Sequence, residues 1–170
     1  MRLFIAINFP ENTKDLLCRN ISRLKTAAKQ GRFTHRDNLH LTLVFLGEVE
    51  ARRLEDIRRV MDSVSLPPFE LSIGSGGRFR RDGGDIYWQS VTASDELTGL
   101  YRRLYDGLKA AGFKLESRNY KPHLTLGRQV VLTDEPKLEI MEVSVHRISL
   151  MLSQRIDGKL KYTELYGKEL

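Results

Sequence analysis

Two short segments of this chain each set a histidine and a threonine two residues apart in otherwise apolar sequence: NLHLTLVFLG at 38–47 and KPHLTLGR at 121–128. A β-strand alternates its side chains between two faces, so His40 and Thr42 share one face while Leu41 and Leu43 take the other; His123 and Thr125 are set against Leu124 and Leu126 in the same way. Imidazole titrates near neutrality, and two of them on opposite sides of a bound group can serve as one acid and one base at physiological pH. Two threonine hydroxyls beside them add neutral donors. Such a set suits a phosphodiester, whose non-bridging oxygens need hydrogen bonds while one oxygen arrives and another leaves. No nucleophile from the protein is required.

A single histidine on a half-buried strand is ordinarily a packing residue. The same tetrapeptide twice, on matching strands, shifts the balance to chemistry. Zinc is the competing use of a histidine pair, but neither motif has a cysteine or carboxylate at ligand spacing, so no metal site is expected. His35 and His146 have no threonine partner and are expected at the surface or in packing.

The elements that must position the two motifs are duplicated with them. His123 follows His40 by 83 positions, and the same offset carries Leu17, Ile21 and Ala28 onto Leu100, Leu104 and Ala111. Apolar residues at three- and four-residue spacing predict a helix from Glu11 to about Gln30, opened near Pro10 and closed by Gly31. A second is expected from Ser94 to about Ala111, with Ser94 as N-cap and Gly112 as stop. Strand candidates RLFIAIN (2–8) and DIYWQSV (85–91) precede them, so the repeated unit is strand, helix, then a strand carrying HLTL. Between the copies a helix is expected from about Glu50 to Val64, then a break at Pro67-Pro68, a strand around FELSIG and a turn at Asp82-Gly83-Gly84. Near the end, VHRISLMLSQ and LKYTELY flank Asp157-Gly158, a hairpin dipeptide. The expected fold class is α+β: two pseudo-symmetric lobes, each an antiparallel sheet with flanking helices, around a central cleft carrying both motifs. No linker divides the chain, and residues 1–170 are expected to form one bilobal domain.

Composition narrows the class of function. With 41% hydrophobic residues and 13 glycines the 170-residue chain is too apolar for disorder, and no apolar run approaches a membrane span. The start, MRLFIAINFP, has neither the length nor the cleavage site of a secretory signal. Cys18 is the only cysteine, which rules out an internal disulfide and agrees with a reducing compartment, so the cytoplasm is the expected location; a monomer is expected as well. The 28 basic residues against 22 acidic ones leave +6, a balance that favours polyanions such as RNA.

HLTL twice, with FLG after the first and PH before the second, then Arg128, resembles the two-histidine phosphoesterase superfamily, and within it the RNA 2′,3′-cyclic phosphodiesterase branch, historically 2′-5′ RNA ligase. The resemblance runs from RLFIAI through NLHLTLVFLGEV, GRF and YKPHLTLGR to LSQRIDGKLKYTEL. It implies a two-lobed α+β fold and no metal or other cofactor. His40 resembles the family's proton donor, His123 its proton acceptor, and Thr42 and Thr125 the residues that hold the phosphate. Arg128 matches an arginine that adds charge to the phosphate or stacks on a base. By strict alternation it falls on the Leu124 and Leu126 face, so it must lie at a strand end to reach the cleft. Phe45, Phe79 and Tyr120 could stack a base or form core and cleft wall. The implied partners are RNA with 2′,3′-cyclic phosphate ends or small cyclic nucleotides. Two alternatives stand beside hydrolysis: ligation or its reversal at a 2′-5′ linkage, and a nucleotide-binding module without turnover.

Overall fold

A computed structural model describes residues 1–170. In chain order the elements are β1 (Arg2–Asn8), α1 (Glu11–Thr26), β2 (Ala28–Phe33), β3 (His40–Glu48), α2 (Leu54–Ser63), β4 (Phe69–Phe79), β5 (Asp85–Val91), α3 (Asp95–Ala110), β6 (His123–Leu132), β7 (Met141–Val145), β8 (Arg147–Ile156) and β9 (Lys159–Glu169). They form two antiparallel sheets, one ordered β3-β1-β8-β9 and the other β2-β6-β5-β4-β7. The α+β class and the paired sheets agree with the sequence.

β1 is central in its sheet, and five consecutive residues, Leu3 to Ile7, are buried. Leu3, Ile5 and Ile7 enter the main apolar core, while Phe4 and Ala6 point the other way and form a second cluster with Met151. The main core is continuous through both sheets and all three helices, and each fully buried leucine in it contributes roughly 1.5–3 kcal/mol.

The two sequence halves exchange elements. β4, from the first half, pairs with β5, and β8, from the second half, pairs with β1. The helices cross as well: α1, which follows β1, packs against β2 of the other sheet, and α3, which follows β5, packs against β3. A buried polar junction fixes α1 there. Asn20 donates to the Gln89 side chain on β5 at 3.0 Å and to the Glu139 carbonyl at 2.9 Å, and accepts from the Glu139 amide at 2.8 Å. All these groups are satisfied, so the junction avoids the desolvation cost an unpaired buried amide would carry.

α3 begins and ends as its sequence predicts: the Ser94 hydroxyl accepts from the Leu97 amide at 3.2 Å, and Gly112 takes φ +87°. α1 does not. It stops at Thr26, and residues 28–33 form β2, so Gly31 sits inside a strand instead of closing the helix. The reason is tertiary. Thr133 donates both its amide, at 2.7 Å, and its hydroxyl, at 3.0 Å, to the Ala27 carbonyl, which turns the chain onto the edge of β6. Pairing there satisfies an edge that helix periodicity cannot sense. The helix expected from Glu50 begins with a 3₁₀ turn at Ala51–Arg53 and becomes α only at Leu54. Asp157 and Gly158 both adopt positive φ, +50° and +74°, and close the β8–β9 hairpin as expected.

Candidate active site

The two motif strands adjoin although they belong to different sheets. Tyr120, three residues before His123, donates its hydroxyl to the Thr42 carbonyl at 3.0 Å, and Thr34, which precedes β3, donates its hydroxyl to the Thr125 carbonyl at 2.8 Å. Each motif is thus fastened to the lead-in of the other. Tyr120 is stacked on Tyr101 of α3, with ring centroids 4.3 Å apart and planes within 8°, and burial raises its phenol pKa. Its ring is wall, not a free base-stacking surface.

Both histidines are held alike. His40 Nδ1 lies 2.7 Å from the Asn38 carbonyl and His123 Nδ1 lies 2.6 Å from the Lys121 carbonyl, in each case two residues upstream. A carbonyl only accepts, so Nδ1 carries a hydrogen in both rings and every proton gained or lost is exchanged at Nε2. His40 Nε2 is 2.9 Å from the Thr42 hydroxyl oxygen. The threonine donates to a neutral ring and accepts from a protonated one.

The surroundings of the two rings differ. His40 packs against both Phe4, with centroids 4.9 Å apart, and Tyr162, edge-on at 5.1 Å, two rings that also meet each other at 5.0 Å. Asn38 is itself pinned, its side-chain amide donating to the Leu160 carbonyl on the β8–β9 hairpin at 3.1 Å. Burial holds His40 below the ordinary histidine range, with the Asn38 carbonyl acting in the opposite direction. A ring-proton NMR titration is accordingly expected to place its midpoint below 6.5. Protonating His40 frees the Thr42 hydrogen for an anion, so saturating inorganic phosphate should raise that midpoint. A midpoint above 6.5 in the free protein, or one indifferent to phosphate, would show that this enclosure is described wrongly. His123 meets Phe79 edge-on at 5.1 Å and Trp88 at 6.3 Å. The Trp88 ring lies across Gly77, where a Cβ would run into it.

Arg128 reaches the cleft face, though not by lying at a strand end. Tyr87 pairs with Gly127 and Trp88 with Thr125, so one residue is extra on β6; Leu126 and Gly127 are both buried and Arg128 returns to the face of Thr125. β3 does the same between Thr42 and Val44, which leaves Leu43 and Val44 buried and Phe45 exposed. Leu43, Val44 and Phe45 match Leu126, Gly127 and Arg128 at the same offset of 83, so the duplication includes the bulge. Burial pushes the Tyr162 phenol up, while nearby Arg128 and Arg2 lower it, so Tyr162 of one sheet lies within electrostatic reach of Arg128 of the other. The Arg2 guanidinium is 4.9 Å above the Phe45 ring. His35 and His146 are exposed, as expected, and His35 caps the Arg36–Asn38 turn that leads into His40. No three His, Cys, Asp or Glu side chains gather as a metal-binding group.

Sequence reasoning misses Phe4, Trp88 and Tyr162, the rings that flank the imidazoles, and the Asn38 and Lys121 carbonyls. The last two carry a signal, since they stand at one offset two residues before each histidine. For Tyr162 the signal is the alternation that runs out of the Asp157-Gly158 turn.

Comparison with known proteins accords with this geometry. Residues 13–157 match the model of the 2′-5′ RNA ligase superfamily. A Thermotoga maritima protein named RNA 2′,3′-cyclic phosphodiesterase is 34% identical over 98% of this chain and 94% of its own. One of the same name from Methanothermobacter thermautotrophicus is 31% identical over 97% and 96%. The crystal structure of Escherichia coli LigT complexed with 3′-AMP superposes with a TM-score of 0.85 at 28% identity, covering 99% of this chain and 97% of that one. With the family match spanning most of its length, the chain belongs to the 2′-5′ RNA ligase superfamily.

Proposed function

We propose that this protein hydrolyses the 2′,3′-cyclic phosphodiester at RNA ends to a 2′-phosphomonoester, without a metal, by acid–base catalysis between His40 and His123. The observation that carries the reading is the matched pair of imidazoles, each with Nδ1 committed to a backbone carbonyl and Nε2 left as the proton-exchanging atom. Relatives named RNA 2′,3′-cyclic phosphodiesterase over nearly the full chain supply the substrate class.

His123 Nε2, neutral, takes a proton from water as the water oxygen bonds to phosphorus. His40 Nε2–H gives its proton to the departing 3′ oxygen as that P–O bond breaks. One water is consumed, and the two histidines end with their protonation states exchanged, to be restored from solvent. Thr42 and Thr125 donate to the non-bridging oxygens, and Arg128 adds positive charge to the phosphate. The division of roles between the histidines follows the family resemblance, because the motifs themselves are symmetric.

No helix is long and apolar enough to cross a membrane. A cytoplasmic enzyme acting on RNA ends is the reading that fits a chain with a single cysteine, and we take it to act as a monomer. The strands and helices exchanged between the sheets favour one duplicated unit over two separable domains. Incubation of the pure protein with RNA ending in a 2′,3′-cyclic phosphate, after exhaustive chelation, should open the ring at an undiminished rate. A preparation that loses activity in chelator and regains it with one divalent ion would overturn the metal-free mechanism.

A further inference from the structure

The two sheets correspond strand for strand except in one place. β3-β1-β8-β9 matches β6-β5-β4-β7, and β2, outside β6, has no counterpart. A near-symmetric pair of motifs suits a phosphate, but RNA ending in a cyclic phosphate continues from the site in one direction only. The unmatched strand widens one wall of the cleft on one side.

The sequence of β2, AKQGRF, contains no acid. Phe33 pairs with Gly127, and its ring packs over that glycine on the core side. Arg32 pairs with Arg128 and therefore lies beside it on the opposite, cleft-facing side. Two cations directly opposite on neighbouring strands repel. Ten of the eighteen arginines meet a carboxylate, among them Arg78 with Asp85 and Glu135, and Arg147 with Glu164 and Glu169. Neither Arg32 nor Arg128 has a carboxylate partner. An anion shared along this face would offset the repulsion. On the other sheet the position matching Arg128 is Phe45, uncharged, with no strand outside it.

We propose that Arg32 binds the internucleotide phosphate on the 5′ side of the terminal nucleotide, so that β2 makes the site selective for an RNA end over a free cyclic nucleotide. This rests on the hydrolytic reading above. Only the terminal nucleoside separates the two phosphates, and neighbouring arginines on paired strands offer donors to both. The occupant is an RNA backbone phosphate, taken by a guanidinium the reacting phosphate does not need.

The test compares adenosine 2′,3′-cyclic phosphate with a dinucleotide ending in the same group, for the wild type, Arg32→Ala, Arg32→Glu and Arg2→Ala. The wild type should prefer the dinucleotide in kcat/KM. Arg32→Ala should lower kcat/KM on the dinucleotide about tenfold, the scale of one exposed charge-assisted contact, and Arg32→Glu should lower it further. Both variants should stay within about twofold of the wild type on the mononucleotide, and Arg2→Ala should keep the wild-type ratio. The log–log salt dependence on the dinucleotide should become shallower by about 0.7 for Arg32→Ala, as expected for one lost single-strand phosphate contact. Equal loss on both substrates, no loss on either, no wild-type preference, or a ratio that responds to Arg2→Ala and not to Arg32→Ala would overturn the proposal and leave the hydrolytic reading standing. A wild type that opens neither ring would overturn both.

Discussion

Replacing either His40 or His123 with alanine is expected to lower turnover on a 2′,3′-cyclic phosphate by at least about a hundredfold, the low end of general acid or base catalysis. Both rings are only partly buried and line the cleft outside the main core, so neither substitution opens a cavity among its leucines. His40→Ala removes a ring from beside Phe4 and Tyr162, which still contact each other, and His123→Ala one from beside Phe79 and Trp88, so thermal unfolding should shift by only a few degrees. The double variant should be little worse than either single one, because an acid and a base that act on one transition state fail together. A folded single variant with near-normal turnover would refute the two-histidine mechanism.

The threonines should follow with a smaller loss and a sharper diagnostic. Thr42→Ala and Thr125→Ala each remove one neutral hydrogen bond at a partly buried site, worth about 1–3 kcal/mol, or roughly ten- to hundredfold in kcat/KM, and the double variant should be worse than either. Thr42 also contacts His40 Nε2, at 2.9 Å, so its loss should alter the His40 titration as well as the rate. Thr125→Ala should leave that titration alone. Unchanged kinetics in both single variants would place the phosphate elsewhere.

Much of this site is legible in the amino-acid sequence. Strand alternation puts His40 with Thr42 and His123 with Thr125, and the offset of 83 puts the two pairs on equivalent elements. β1 and β5 span the residues predicted for them, because an apolar run between turn residues leaves little freedom. Helix periodicity overextends α1 to Gln30, because residues 28–33 owe their strand to the open edge of β6, a partner about 100 positions away in sequence. Alternation puts Arg128 on the core face because it assumes a regular ladder, and the bulge at Leu126-Gly127 breaks it. The paired doublets, Leu43-Val44 and Leu126-Gly127, record that break in both copies. The exchange of strands between sheets has no local signal, since pairing of β4 with β5 and of β8 with β1 depends on which edges remain open once the motif strands are in place. The enclosure of His40 by Tyr162 is likewise hidden, because those residues lie 122 positions apart and meet only through the fold.

Phosphorus NMR of the product tests the central claim most directly. If His40 protonates the departing 3′ oxygen while His123 activates water, an RNA 2′,3′-cyclic phosphate incubated with the chelated protein should yield a single new resonance, that of the 2′-phosphomonoester. A predominantly 3′-phosphomonoester product would contradict the assigned roles of His40 and His123, and a cyclic phosphate resonance that persists unchanged would contradict the proposed function itself.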